Sequence, residues 1–215
     1  MPQTTPDSHD IHEYIAHLFA QEDEILRWVR ESLIEQGLPD VAITPEEGAF
    51  LSLLVRLCRA HHVLEIGTLA GYSTLWIARA LPSDGIVVTI EKSARHAALA
   101  RQNFERAGLA GQILLLEGEA KRLLSKAARW GPFDFVFIDA DKEGYPYYYD
   151  CALNLVPSGG VIAFHNALWG GSVALPFHGP VIDAIRDFNR MVANDPRVVA
   201  HIYPAGDGTL IAVKR

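Results

Sequence analysis

The sequence predicts an α/β protein: a doubly wound, mostly parallel sheet with helices on both faces and further helices ahead of the first strand. Three observations carry this. Val63-Leu64-Glu65-Ile66 is a short apolar run that passes through Gly67-Thr68-Leu69-Ala70-Gly71 into an apolar helix over about residues 73–81, giving a strand, a tight turn and a helix start in succession. From there, apolar runs of strand length alternate with helical patterns. The runs are near-continuous, as in a parallel sheet covered on both sides. The rhythm then breaks, because residues 197–203 and 209–214 flank Pro204-Ala205-Gly206-Asp207-Gly208, a hairpin signal.

Taken in order, residues 1–10 read as a loose polar tail. Ile11, Tyr14, Ile15, Leu18 and Phe19 recur at helical spacing, and Leu26, Val29 and Leu33 continue that helix until Gly37 and Pro39 stop it. Thr44-Pro45-Glu46-Glu47 has the form of a capping box with proline at the first helical position, opening a second helix that runs to about Ala60. Strands are expected over residues 63–66, 86–91, 113–117, 133–139 and 161–165. Helices are expected over 93–107, 120–128, a Tyr-rich stretch ending at 156, and 181–193. The organisation is one domain over 1–215: a tail (1–10), N-terminal helices (11–60) and an α/β core (61–215).

A chain of 215 residues is long enough for one domain with a sizeable core. The net charge of −7 argues against a general nucleic-acid surface, which needs a basic field. Cys58 and Cys151 fall in apolar helical patterns and read as buried free thiols. No stretch is apolar enough to span a bilayer, and the first residues lack the charged-then-apolar order of a signal peptide. A cytoplasmic protein is expected.

The chemistry-bearing residues gather at strand ends. Glu65 closes the first strand, where open α/β sheets bind ligands, and Gly67 and Gly71 let backbone approach a ligand closely. Their spacing is G-x-x-x-G, not the G-x-G-x-x-G of a dinucleotide site. Glu91, ending the second strand, is placed to accept hydrogen bonds from ribose hydroxyls. Gly118-Glu119-Ala120 follows the third strand and is placed to line a base pocket with its backbone. Asp139-Ala140-Asp141-Lys142 delivers two carboxylates and a lysine to the end of the fourth strand, so the cation beside Asp139 is either Lys142 or a bound metal. His165-Asn166 ends the fifth strand with two groups competent as metal ligands. The other histidines read as surface or packing residues.

Together these stretches resemble the cation-dependent class I S-adenosylmethionine O-methyltransferases, the caffeoyl-CoA and catechol O-methyltransferase family. The matching segments are Thr44-Pro45-Glu46-Glu47-Gly48, Glu65-Ile66-Gly67 to Gly71-Tyr72-Ser73, Phe133-Asp134 to Asp139-Ala140-Asp141-Lys142 with Tyr145 and Tyr148, Leu168-Trp169-Gly170-Gly171, Asp195-Pro196-Arg197 and Gly206-Asp207-Gly208. The resemblance implies a seven-stranded sheet with an antiparallel last strand, a homodimer, and a small phenolic or catechol-like acceptor. It implies that Glu65, Gly67, Thr68, Gly71 and Ser73 hold the amino-acid portion and sugar of S-adenosylmethionine, that Glu91 binds the ribose, and that the Ala120 backbone meets the adenine. Asp139 would serve donor and metal, Tyr148 would pack near the donor, Thr44 would approach both, and Lys142 would be the general base.

The family holds its metal with the equivalent of Asp139 and an Asp-Asn pair after the fifth strand. Here that pair is His165-Asn166. Three readings stay open. A transition metal, favoured over Mg²⁺ by imidazole, is held by Asp139, His165 and Asn166. No metal binds, and His165 is a base or orienting group. A hard metal still binds through Asp139, Asn166 and waters. Trp169, Phe177 and the N-terminal helices are candidate walls for the acceptor, and the short segment 172–180 does not argue for a CoA thioester. The competing classes are a dinucleotide oxidoreductase, a tRNA-modifying methyltransferase of the same fold, and a catalytically silent S-adenosylmethionine-binding protein.

Overall fold

The computed structural model describes residues 8–215, with side chains from residue 11 onward. The tail expected over residues 1–10 lies outside the described residues as far as residue 7, and the chain is helical from Ser8. Three helices come first: α1 (Ser8–Phe19), α2 (Glu24–Glu35) and α3 (Pro45–Leu57). The one helix expected between Ile11 and Gly37 is therefore two. The apolar period runs straight across the break. The restart comes from Asp23, whose side chain accepts the backbone N–H of Leu26 at 2.9 Å and caps α2. The period also misleads about burial, since Leu26, Val29 and Leu33 enter the core while Ile11, Tyr14, Leu18 and Phe19 stay exposed. The capping box at Thr44 forms as the sequence predicts.

The core follows as β1 (His62–Ile66), α4 (Tyr72–Ala78), β2 (Ile86–Glu91), α5 (Ala94–Arg106), β3 (Ile113–Glu117), α6 (Ala120–Ala127), β4 (Phe135–Ile138), α7 (Tyr145–Leu155), β5 (Val161–Phe164), α8 (Pro180–Ala193), β6 (Val198–Tyr203) and β7 (Thr209–Lys214). The strands form one seven-stranded sheet in the order β3-β2-β1-β4-β5-β7-β6. The first five run parallel, and β7 is antiparallel to both its neighbours. β4 is shorter than the expected 133–139. Phe133 is buried ahead of it, and Asp134 instead accepts the backbone N–H groups of His61 and His62 at 2.8 and 3.0 Å, tying the entry of β4 to that of β1.

Side chains alternate across each strand, so the two faces carry different cores. Leu64, Ile66, Val136, Ile138, Ile162 and Phe164 pack under α6, α7 and α8, where Tyr145, Tyr149 and Phe188 surround Phe164. Val63, Val87, Phe135, Phe137 and Ala163 pack on the other face against α2, α3, α4 and α5.

Strand order reverses between β1 and β4, the switch point where such sheets open a crevice. Gly67 leaves β1 there with φ +98°, and a Cβ at this position would strike the backbone carbonyl of Asp139. Behind the turn lies Glu65, fully buried. Its carboxyl accepts hydrogen bonds from Ser73 Oγ at 2.7 Å, Thr89 Oγ1 at 2.6 Å and Thr74 Oγ1. Burial pushes this carboxyl up to about 7, against the three hydroxyl hydrogen bonds that favour its charge.

Two expectations follow. Phe188→Ala, which removes the ring packed 4.6 Å from Phe164 and 5.3 Å from Tyr145, should lower stability to denaturant. The loss should be about 3–5 kcal/mol, read from urea unfolding. Glu65 should make stability pH-dependent: between its ordinary 4.5 and about 7 the folded chain holds a proton that the unfolded chain has released, so stability falls as pH rises across that window. Glu65→Gln should remove that contribution, roughly 3 kcal/mol at most, as read by thermal unfolding from pH 4 to 8.

Candidate active site

A cleft of about 690 Å³ opens at the carboxyl ends of the parallel strands, within the size range of small-molecule sites. Of the residues singled out by sequence, Gly67, Thr68, Ser73, Glu91, Ala120, Asp139, Lys142, Tyr148 and Asn166 line it. Thr44, Glu65, Gly71 and His165 do not; Glu65 and His165 stand behind it, bonded to Ser73 and Asp139 of its wall. Glu91 Oε2 accepts the backbone N–H groups of Thr68 and Leu69 at 3.1 and 2.9 Å, while Oε1 accepts that of Ser93 at 2.8 Å. One acid thus holds the turn after β1 against the end of β2 while its carboxylate borders the cleft. Backbone at a turn with no room for a side chain, beside a strand-end acid, fits the nucleoside-bearing donor implied by the resemblance. Four non-glycine residues among those described have φ above zero, and three of them, Leu69, Asn166 and Trp169, border this cleft.

At the β4 and β5 ends the charged groups form one network. Lys142 Nζ donates to Asp139 Oδ1 at 3.0 Å and to the Tyr145 hydroxyl at 2.7 Å, and that hydroxyl donates to the carbonyl of His165 at 2.8 Å. His165 is buried between two acids: Nδ1 meets Asp139 Oδ2 at 3.1 Å, and Nε2 meets Glu47 Oε1 at 2.8 Å. Burial disfavours the imidazolium, but hydrogen bonds and charge from Asp139 and Glu47 outweigh it and push the ring up to about 9. Burial likewise opposes charge on Asp139, yet His165 and Lys142 hold its carboxyl down at about 2. Glu47 is also held below its ordinary value; burial works against this, and His165 and Thr44 prevail.

Glu47 does double duty. Its Oε2 completes the capping box with Thr44, accepting the backbone N–H at 2.8 Å and Oγ1 at 3.0 Å, while Oε1 also takes the backbone N–H of Asp207 at 3.2 Å. Gly206 precedes that contact with φ +57°, where a Cβ would collide with the Glu47 carboxyl. Asp207 in turn accepts from Asn166 Nδ2 at 2.7 Å and from the backbone N–H of Gly170.

These contacts decide how a metal would fare. Asp139, His165 and Asn166 lie close to one another, but not as an open donor set. A ligating imidazole must offer a lone pair, whereas each ring nitrogen of His165 faces a carboxylate and must be a donor. Asp139 Oδ1 is paired with Lys142, and the Asn166 amide is turned to Asp207. No group of three or more His, Cys, Asp or Glu among the described residues is disposed to hold a metal ion. The side chains present therefore do not fit the metal implied by the resemblance, and the metal-ligand reading of Asp139, His165 and Asn166 is not supported by their arrangement.

Sequence reasoning placed Lys142 and His165 beside Asp139 but missed two partners. Glu47 read only as a helix cap and Asp207 only as a hairpin residue; no local pattern announces contacts 118 and 160 positions away. It also missed Arg186 of α8. This guanidinium donates to the carbonyls of Val173 at 3.0 Å and Ser172 at 2.9 Å, and to those of Leu175 and Phe177, strapping down the segment after Trp169. Trp169 lines the cleft, as do Leu33, Val41, Ala42 and Ile43 from the N-terminal region; Phe177 does not.

The chain is similar in sequence and fold to known proteins. The profile of a family described as O-methyltransferase matches residues 16–215. A catechol O-methyltransferase from Niastella koreensis is 42% identical over 192 residues, spanning 88% of this chain and 87% of its own. Caffeoyl-CoA O-methyltransferase 1 from Arabidopsis thaliana is 35% identical over 217 residues, spanning 95% of this chain and 84% of its own. Among solved structures, an O-methyltransferase from Bacillus cereus in complex with SAH, the demethylated donor, aligns at TM-score 0.89 and 38% identity over 96% of this chain and 97% of that one. With the strand order, the glycine turn and the strand-end acids in place, the chain belongs to the O-methyltransferase family and is an S-adenosylmethionine-dependent methyltransferase.

Proposed function

We propose that the enzyme methylates one hydroxyl of a small phenol or catechol. The donor supplies a sulfonium-bound methyl group that is electrophilic without further activation. Two tasks fall to the chain: aligning acceptor with donor, and favouring the anionic form of the acceptor oxygen. Alignment contributes about 7–11 kcal/mol in favourable cases. We assign the donor to the end of the cleft bordered by Gly67, Thr68, Ser73, Glu91, Ala120 and Tyr148. Glu91 accepts from the ribose hydroxyls there, and the backbone at Ala120 meets the base. Glu65 and Gly71 act from outside the lining, Glu65 by holding Ser73 and Gly71 by leading into α4, and Thr44 acts through its bonds to Glu47.

The acceptor takes the end beside Lys142, Asn166 and Trp169. The observation that carries this reading is Lys142 on the cleft wall, its Nζ held by Asp139 and Tyr145. A phenol with a pKa of about 10 is mostly protonated at neutral pH. An ammonium beside the hydroxyl favours the phenolate, and the proton leaves to solvent at the mouth of the cleft. Lys142 thus acts as a cation rather than as the general base implied by the resemblance. The relatives named for catechol and caffeoyl-CoA support a phenolic acceptor, and the short segment 172–180 favours a small one. We also propose a homodimer, which would bury the exposed Ile11, Tyr14 and Leu18 of α1 and Leu53 and Leu57 of the adjoining α3. No helix among the described residues is long and apolar enough to cross a membrane.

The test is transfer of labelled methyl from S-adenosylmethionine to a panel of phenols and catechols; absence of transfer to every member would sink the acceptor assignment. With a catechol, Lys142→Met should lower kcat about 10²-fold. A nitrocatechol, already ionised at pH 8, should lose far less. Arg186→Ala should raise the acceptor KM about tenfold, a change of about 1.4 kcal/mol, by releasing the segment after Trp169. Donor affinity by calorimetry should stay unchanged.

A further inference from the structure

We propose that His165 serves in place of a divalent cation: its ring holds Glu47 and Asp139 together, and methyl transfer proceeds with no metal bound. The inference rests on the acceptor reading above, and its test lets the two fail separately.

Glu47 arrives from the first turn of α3 and Asp139 from the end of β4, so a buried acid and a half-buried one from distant parts of the chain face one ring. Without a cation between them they would repel, and Glu47 would carry the cost of a buried, uncompensated charge. The ring meets both, at 2.8 Å and 3.1 Å, with an N–H toward each carboxylate. Every other oxygen of the two acids is also matched: Asp139 Oδ1 by Lys142, and Glu47 Oε2 by the backbone N–H and hydroxyl of Thr44. Two anions, Glu47 and Asp139, stand against two cations, His165 and Lys142. A dication brought here would find no free lone pair on the ring and would add uncompensated positive charge.

Exchanging the ring for a carboxylate inverts the balance. Glu47, Asp139 and the new acid would then face one another with Lys142 as the one cation of the network. That is an oxygen-rich, net negative set of the kind hard cations take. Asn166 already stands next in sequence and lines the cleft.

The test titrates Mn²⁺ alone into the chelator-treated full chain, wild type and His165→Asp, reading free Mn²⁺ by electron paramagnetic resonance. Wild type should show no saturable binding up to roughly 1 mM, and the variant should bind one Mn²⁺ at least about tenfold more tightly. Mn²⁺ should raise the thermal midpoint of the variant and not that of wild type. Wild-type methyl transfer should be unchanged by chelator. Stoichiometric Mn²⁺, Co²⁺ or Zn²⁺ on wild type overturns the proposal, as does activity that returns only on adding a metal. A variant that folds by circular dichroism yet gains no Mn²⁺ affinity also overturns it. If the variant does not fold, Mn²⁺ and Zn²⁺ titrations and the chelator assay on wild type decide. If wild type binds SAH but methylates no phenol, the acceptor reading fails and the Mn²⁺ titrations still decide the cation question.

Discussion

Two strand ends meet at Gly67 and Asp139 with no space for a side chain between them, and the rest of the site is arranged around that contact. Asp139 N–H donates to the carbonyl of Ile66 at 2.9 Å, continuing the β1–β4 ladder one residue past the sheet. Gly67 N–H donates likewise to the carbonyl of Ile90 at 3.0 Å. The glycine turn is thus fixed from both sides before any ligand arrives. Its left-handed conformation is affordable because Glu65 beneath it collects hydroxyl hydrogen bonds and Glu91 beside it collects backbone N–H groups. Two acids in one small region would be a liability if both were bare. One is buried and inclined to keep its proton, while the other has backbone donors on each oxygen.

At the β4 and β5 ends, charge is handled differently. Asp139, Glu47, His165 and Lys142 are mutually neutralising, and Tyr145 and Thr44 satisfy what remains. Burying such a set costs desolvation, so it stabilises the fold only weakly if at all. What it provides is fixed position: each member has one arrangement in which all its hydrogen bonds are met. That rigidity keeps Lys142 at the cleft wall, the fixed charge that the proposed acceptor chemistry calls for.

Most of the sheet was legible in the sequence because parallel strands covered on both faces are written as uninterrupted apolar runs. β2 and β3 fall where those runs predict, and β7 where the hairpin signal places it. The glycine turn, Glu91 and the Asp139–Lys142 stretch were legible for the same reason: strand ends in this topology are where ligands bind, and their chemistry is local. The break between α1 and α2 was hidden because one apolar period spans it and the capping Asp23 is an ordinary acid. Glu47 was visible only in its local role, since a capping box is complete within four residues and says nothing of a histidine across the fold. His165 looked like a metal ligand because residue type fixes what a side chain can bind, whereas its actual partners depend on which acids the folded chain brings to it.

The span of those contacts bears on the order in which the site is built. Gly67, Glu91 and Asp139 come together once the first, second and fourth strands have paired, all within the parallel half of the sheet. Glu47 must wait for His165 at the end of β5 and for Asp207 in the turn before β7, 118 and 160 positions further along. Closing such distant pairs is entropically slow and is rewarded only when the antiparallel edge is in place. The crevice at Gly67 and Glu91 is thus built entirely within the parallel half of the sheet, whereas the network around His165 is complete only with the last hairpin docked.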